Sequence, residues 1–158
     1  MKIARITPNC MFQDGVSADI YIAGCKHRCE ECYETDLWDF NKGIKMSNDD
    51  IVYTANQFNP DAYVLLGGDP LFSPKGTLSL VERLKQEEIP IWLLTGFTRE
   101  QIKDDPLFEI IFKKCNVIKT GKYDETKKQT GFPASSNQII WRNNKWKYFK
   151  NLANVILW

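Results

Sequence analysis

Short apolar runs of strand length alternate along this chain with longer segments in which apolar residues recur at helical spacing. Polar and apolar side chains alternate over residues 17–24, which predicts a half-buried strand. Compact apolar runs predict further strands over residues 62–66, 91–94 and 116–119. Helical spacing predicts helices over residues 51–58, 77–87, 98–103 and 106–114. Ser47 is a suitable N-cap for the first of these helices, and Pro60 lies just beyond its end.

This alternation indicates an α/β fold made of βαβ units with parallel strands. In such sheets, ligands bind beyond the carboxyl ends of the strands, where the connecting loops converge. Three segments follow predicted strands and are expected at that end: the cysteine loop (residues 25–32), a glycine turn at 67–70 and the pair 95–96. Residues 121–137 are predicted to form a long polar loop. The length predicts a single domain over residues 1–158.

Composition narrows the class of protein. Apolar residues make up 43% of the chain, enough for a core, but no run of 18 apolar residues could span a membrane. The first ten residues lack the apolar stretch of a signal peptide, so we expect a cytoplasmic protein that does not contact a membrane.

A formal net charge of +1 gives no bulk reason to expect a nucleic-acid partner. Basic residues interleaved with aromatic ones could still bind single-stranded nucleic acid, and they gather at 113–114, 119–122, 127–128 and 142–150. The balancing acidic residues favour an ordinary solvated surface instead.

The strongest chemical signal is the C-x3-C-x2-C spacing of Cys25, Cys29 and Cys32. Three thiolates from one loop suit one metal centre, and three protein ligands would leave one iron of an iron–sulfur cube open to another molecule. Two alternatives share this spacing: a structural zinc site with His27 or a distant cysteine as fourth ligand, and thiols that are unligated or disulfide-bonded. Zinc sites more often show a second cysteine pair or a histidine pair, and this chain has one histidine.

The total of five cysteines is odd, which favours ligation over a disulfide framework. Cys115 precedes a predicted strand and is expected to be a small buried thiol. Cys10 lies next to Pro8 and Asn9 and is predicted to lie in a loop, without an assigned role.

Gly67, Gly68, Asp69 and Pro70 directly follow a predicted strand. The missing side chains of the two glycines would let a ligand approach main-chain N–H and C=O groups, and Asp69 offers a carboxylate. An ordinary strand-to-helix turn would use the same four residues. The neighbouring cysteine loop favours a binding role, for a small ligand with a charged amino group.

Together these motifs resemble those of radical S-adenosylmethionine enzymes. Within that superfamily, four stretches are similar to the activating enzymes of anaerobic (class III) ribonucleoside-triphosphate reductase: residues 24–33, 67–71, 91–97 and 135–138. The resemblance runs through most of the chain. It implies an incomplete, TIM-like (β/α) barrel that is open on one side, and 158 residues are too few for the full barrel of about 250.

The resemblance further implies an oxidoreductase that generates a glycyl radical. In that family a 4Fe–4S cluster reductively cleaves S-adenosylmethionine, and the 5′-deoxyadenosyl radical removes a hydrogen from a glycine of the reductase. The implied partners are the large subunit of an anaerobic ribonucleotide reductase and an electron donor such as a reduced flavodoxin. The protein would position the cofactor and exclude water, and no side chain need act as an acid or base.

The resemblance assigns two sets of site residues. The cluster ligands would be Cys25, Cys29 and Cys32. The residues against the methionine part of S-adenosylmethionine would be Gly67, Gly68 and Asp69, and those near its adenine would be Glu31, Cys32 and Tyr33.

Two features depart from the family pattern. Glu31 stands where the activating enzymes usually have glycine, and an acidic side chain beside the cluster would lower its reduction potential unless it points to solvent. Residues 130–134 replace the tryptophan–arginine–glycine run that commonly precedes the position of Ser135.

Two other functions would use the same motifs. A small radical S-adenosylmethionine enzyme that acts on a metabolite would share the cysteine loop and the glycine turn, although an open barrel suits a macromolecular substrate better. A non-enzymatic zinc or iron–sulfur module would bind nucleic acid through its basic C-terminal half, with strongly salt-dependent affinity.

Overall fold

The computed structural model describes residues 1–12, 15–142 and 155–157, which form a mixed α/β structure on an eight-stranded sheet. The strands are β1 (Lys2–Phe12), β2 (Gly15–Ile22), β3 (Ile44–Lys45), β4 (Ala62–Gly67), β5 (Ile91–Leu94), β6 (Val117–Thr120), β7 (Ile139–Arg142) and β8 (Val155–Leu157). The α-helices are α1 (Asn48–Asn56), α2 (Pro74–Leu84), α3 (Arg99–Asp104) and α4 (Pro106–Lys114). Short 3-10 helices lie at Thr35–Trp38, Pro70–Phe72, Lys85–Glu87 and Glu125–Lys127.

The strand order is β3-β1-β2-β4-β5-β6-β7-β8. The four central strands, β2, β4, β5 and β6, run parallel, as the βαβ pattern predicts. β1 pairs antiparallel with β2, and β7 pairs antiparallel with β6. Over the residues that the structure describes the sheet is open, with β3 and β8 at its two ends. The incomplete barrel remains a prediction.

Side-chain caps begin three of the helices. The Ser47 hydroxyl accepts a hydrogen bond from the Asp50 N–H at the start of α1, as the sequence predicts. Thr98 and Gln101 form a capping box at α3, and the Asp105 carboxylate caps α4. The helix predicted over residues 77–87 begins earlier, at Pro74, and its last turn is the 3-10 helix Lys85–Glu87.

Apolar side chains pack on both faces of the sheet. In β4, Tyr63 and Leu65 join the larger core, which includes buried residues of all four helices. The alternate residues Ala62 and Val64 point to the opposite face and join a smaller apolar cluster, against which Phe132 packs. None of the four described α-helices contributes to this smaller cluster, and this face carries the candidate site at the carboxyl ends of its strands.

Strand pairing places Cys10 in a different element from the one that the sequence predicts. Cys10 was expected in a loop, but it is an exposed residue of β1. β1 pairs with β2 along one edge, and on its other edge it pairs with β3 only at Lys2 and Ile3. Among the described residues no strand pairs with Pro8 on that second edge, so Pro8, which has no N–H to donate, can lie in β1. Cys115 is buried just before β6, as expected.

Part of the basic C-terminal stretch, residues 143–150, lies outside the described residues. In the part of the chain that the structure describes, none of the helices combines the length and apolar character needed to cross a membrane.

Candidate iron–sulfur and cofactor site

The cysteine loop leaves the carboxyl end of β2 and is tied at its start to the segment before β3. Gly24 donates its N–H to the Leu37 carbonyl oxygen at 2.8 Å, and its own carbonyl oxygen accepts from the Asp69 N–H at 3.0 Å. Cys25 is buried, whereas Cys29 and Cys32 are half-buried, and all three thiols are free. Among the described residues, no three His, Cys, Asp or Glu side chains are grouped so that they could hold a single metal ion.

Burial disfavours the ionised form of two of these thiols, Cys25 and Cys29. It raises the pKa of Cys25 to about 11, and the nearby Asp69, Cys29 and Cys32 add to this shift, while a hydrogen bond from the His27 N–H opposes it. Burial also raises the pKa of Cys29. The neutral thiols of Cys25 and Cys29 are therefore favoured near pH 7, and binding of a metal centre to them would release protons.

His27, inside the cysteine loop, is bonded to the glycine turn. Its Nε2 lies 2.9 Å from Oδ2 of Asp69, and its ring packs between Phe72 and Phe97 at centroid distances of 4.9 and 4.7 Å. Its side chain is only 8% exposed. The histidine considered as a zinc ligand thus has Nε2 committed to a carboxylate.

Asp69 is the centre of this network. Its carboxylate, 1% exposed, also accepts from the Leu71 N–H at 2.9 Å, from the Thr95 hydroxyl at 2.9 Å and from the Gly96 N–H at 2.7 Å. The side chain assigned to the methionine part of S-adenosylmethionine therefore joins the cysteine loop, the glycine turn and the loop after β5. Its proposed contact with a ligand remains a prediction.

Three positions of the site require glycine because neighbouring atoms approach the main chain too closely for a Cβ. A Cβ on Gly68 would lie 2.5 Å from the Gly24 carbonyl oxygen, and one on Gly96 would lie 2.5 Å from the His27 ring. Gly67 has a φ of +111°, which few side chains tolerate, and a Cβ there would meet main-chain atoms of Ile22 at 2.8 Å. The three connecting loops can meet only because these residues lack side chains.

A cavity of about 320 Å³ opens beside the cysteine loop. Its walls come from the carboxyl ends of β2, β4, β5 and β6, the end predicted from the sequence. It is lined by Tyr21, Cys32, Tyr33, Glu34, Leu66, Gly67, Gly68, Leu94, Thr95, Gly96, Lys119, Tyr123, Phe132, Ala134 and Gln138. Of the predicted cofactor residues, Cys32, Tyr33, Gly67 and Gly68 are in this lining.

The long polar loop contributes a wall of the cavity because hydrogen bonds hold it in place. The Gln138 side chain donates to the Gly121 carbonyl oxygen at 3.0 Å and accepts from the Ser135 N–H at 3.3 Å. The Asn137 side chain donates to the Lys122 carbonyl oxygen at 2.9 Å. The stretch 135–138, similar to the activating enzymes, thus ties the two ends of this loop together.

Glu31 adopts a left-handed backbone conformation, with a φ of +52°, and its side chain is exposed. A glycine would adopt this conformation without strain, which gives a physical reason for the glycine that the activating enzymes usually have there. Tyr33, 68% exposed, packs against Tyr123 at the edge of the cavity, with ring centroids 5.3 Å apart. Its assignment to the adenine remains a prediction, as does that of Glu31.

Several lysines of the basic clusters are neutralised by ion pairs. The pairs are Lys113–Glu109, Lys114–Glu82, Lys127–Asp124 and Lys128–Glu125, with N–O distances of 3.1–3.3 Å. Such pairing supports the interpretation of these lysines as a solvated surface.

The donor set fits a three-thiolate cluster beside a ligand site. Three free thiols come from one loop, and Cys32 borders a cavity whose other lining includes the main chain of Gly67 and Gly68. Sequence reasoning missed Lys119, Tyr123 and other lining residues. Lys119 had a usable signal, since it is the one charged residue in a short apolar strand.

Two comparisons relate this chain to known proteins. A family described as a 4Fe-4S single cluster domain matches residues 13–141. The anaerobic ribonucleoside-triphosphate reductase-activating protein of Enterobacteria phage T4 is 31% identical over 162 residues, covering 94% of this chain and 99% of that protein. The proteins of the same name from Pasteurella multocida and Escherichia coli K12 are 29% and 28% identical, covering 82% and 80% of this chain and 89% and 88% of those proteins. The chain therefore belongs to the family of anaerobic ribonucleoside-triphosphate reductase-activating proteins and contains a 4Fe-4S cluster domain.

Proposed function

We propose that this protein is a radical S-adenosylmethionine enzyme that activates an anaerobic ribonucleotide reductase. Cys25, Cys29 and Cys32 would hold a 4Fe–4S cluster with one open iron, and S-adenosylmethionine would occupy the adjacent cavity. The observation that carries the proposal is the wall of that cavity, where a cluster-ligand thiol faces the same space as two glycines with accessible main chain. When bound, the cluster and S-adenosylmethionine supply a 5′-deoxyadenosyl radical, which removes a hydrogen from a glycine of the reductase.

The residues of the chain hold and shield this chemistry. The Asp69 network fixes the cysteine loop against the ends of β4 and β5, so the three thiols are presented from a braced loop. Leu66, Leu94 and Phe132 make much of the cavity wall apolar, which limits water near a reactive species. The names of the relatives refer to a reductase, and the sheet that carries the cavity is open over the described residues. Both observations support a protein substrate.

Iron content and spectroscopy test the metal centre. Anaerobically purified protein should be brown, and reduction with dithionite should give a cluster signal that changes when S-adenosylmethionine is added. Cys29→Ala should remove the cluster and abolish 5′-deoxyadenosine production. Cys115→Ala is the matched control and should retain full iron, because that thiol is buried in the core. A colourless protein containing zinc would contradict the proposal.

A second measurement tests the substrate. Mixing the reduced protein with S-adenosylmethionine and its reductase partner should produce a glycyl radical signal on the reductase. Cleavage of S-adenosylmethionine without any radical on the reductase would instead favour an enzyme that acts on a metabolite.

A further inference from the structure

Lys119 lies at the end of the sheet face that carries the smaller apolar cluster. Residues two apart in a strand point to the same face, and Val117 belongs to the smaller apolar cluster on that face. In the neighbouring strand β5, Lys119 pairs with Leu94, which packs against the same cluster. Lys119 thus places an ammonium group at the point where the row of apolar side chains meets the cavity.

Within the part of the chain that the structure describes, this ammonium group has no carboxylate partner of its own. Among the described residues, no carboxylate lies within ion-pair distance of Lys119 Nζ, in contrast to the four ion-paired lysines above. Asp69, Cys29 and Cys32 are near enough to influence Lys119. The Asp69 carboxylate is already occupied by four donors, and burial favours the neutral form of the Cys29 thiol. Burial lowers the pKa of Lys119 to about 8, so the group is still mostly protonated at neutral pH.

A partly desolvated cation without a partner is costly, and its position in a ligand cavity is explained if the ligand supplies the anion. The carboxylate is the only anionic group of S-adenosylmethionine. We propose that Lys119 binds the carboxylate of S-adenosylmethionine and so orients the methionine end of the ligand towards the cysteine loop. This inference rests on the proposed function, and it adds a specificity-determining residue to that site.

The test measures binding instead of turnover. Protein with a reconstituted, oxidised cluster is titrated with S-adenosylmethionine and, separately, with its decarboxylated form, S-adenosyl-3-methylthiopropylamine. The variants are Lys119→Met, which removes the charge, and Lys119→Arg, which keeps it. Lys122→Met is the matched control, because Lys122 also acts electrostatically on Cys29 but is exposed and does not line the cavity. Iron content and circular dichroism establish that each variant is folded and loaded.

Lys119→Met should weaken binding of S-adenosylmethionine by about tenfold or more, the loss typical of one charge-assisted contact. Its affinity for the decarboxylated ligand should change by less than about twofold. Lys119→Arg should retain most of the affinity, and Lys122→Met should affect neither ligand.

Each of the following outcomes would overturn the assignment. Equal weakening for both ligands would mean that Lys119 only packs against the site. Unchanged affinity together with a lowered cluster midpoint potential would mean that Lys119 acts on the cluster. If the wild-type protein binds no S-adenosylmethionine, the proposed function fails as well, whereas wild-type binding that is insensitive to Lys119→Met overturns this inference alone.

Discussion

Replacing Asp69 by asparagine tests how the cysteine loop is held against the sheet. The carboxylate accepts hydrogen bonds from His27, Leu71, Thr95 and Gly96. Asparagine has nearly the same shape but carries no charge, and its NH2 group cannot accept a hydrogen bond. At least one main-chain N–H would then face another donor in a buried site.

The expected loss follows from these contacts. A hydrogen bond to a charged group contributes about 1.5–3 kcal/mol to stability and a neutral one about 1 kcal/mol. Losing one bond and weakening the others should lower the free energy of unfolding by about 3 kcal/mol. Domains of this kind are stable by about 5–15 kcal/mol, so Asp69→Asn should still fold.

Denaturant unfolding of the metal-free protein, followed by circular dichroism, measures this loss. Because His27 would lose its charged acceptor, the buried thiol of Cys25 should also react faster with a thiol reagent in the variant. Asp49→Asn is the control, since Asp49 bonds to Arg83 at 2.6 Å but its side chain is 81% exposed, and little change is expected there. Equal free energies of unfolding for Asp69→Asn and Asp49→Asn would refute the reasoning.

Three further substitutions test local features, each by denaturant titration. Gly68→Ala should lower the free energy of unfolding by about 3 kcal/mol, because its Cβ would lie 2.5 Å from a carbonyl oxygen. Gly76→Ala in α2 should raise it by up to about 1 kcal/mol, because the nearest atom to its Cβ, at 3.1 Å, is the end of the flexible Met1 side chain, which can move aside. Similar effects of the two substitutions would contradict the packing argument. Glu31→Gly should leave the free energy of unfolding unchanged or raise it by up to about 1 kcal/mol, because Glu31 has a φ of +52° that glycine adopts without strain. Glu30→Gly is the control and should lower the free energy of unfolding, because Glu30 does not have a positive φ. A lower free energy of unfolding in both variants would count against backbone strain at Glu31. Glu109→Gln should cost about 1 kcal/mol at neutral pH, because a bidentate arginine holds the pKa of Glu109 below its ordinary 4.5. That contribution is present above pH 4.5 and is lost as the pH falls through the folded-state pKa, so a pH-independent difference from wild type would exclude the ion pair as its cause.

Local patterns predicted the central part of the fold. The β4–α2–β5 unit and the Ser47 cap are recognisable because strand and helix periodicities, and the residues that cap helices, act over a few neighbouring positions. β1 and β7 were not predicted, since neither has a clear alternation of its own. Each is formed by antiparallel pairing with a strand that the sequence does reveal.

Local sequence is enough to identify the three thiols, their spacing and the glycine turn, because the cysteines come from one short loop and the turn directly follows a strand. It also determined that these segments meet, since the carboxyl ends of parallel strands share one edge of a sheet. The folded structure is needed to show that Asp69 braces His27 and that residues of the loop after β6 line the cavity. It also shows that Lys119 lines the same cavity as Cys32. Those relations join residues far apart in the chain, and they depend on which face of the sheet each side chain reaches and on how closely glycines let the loops approach.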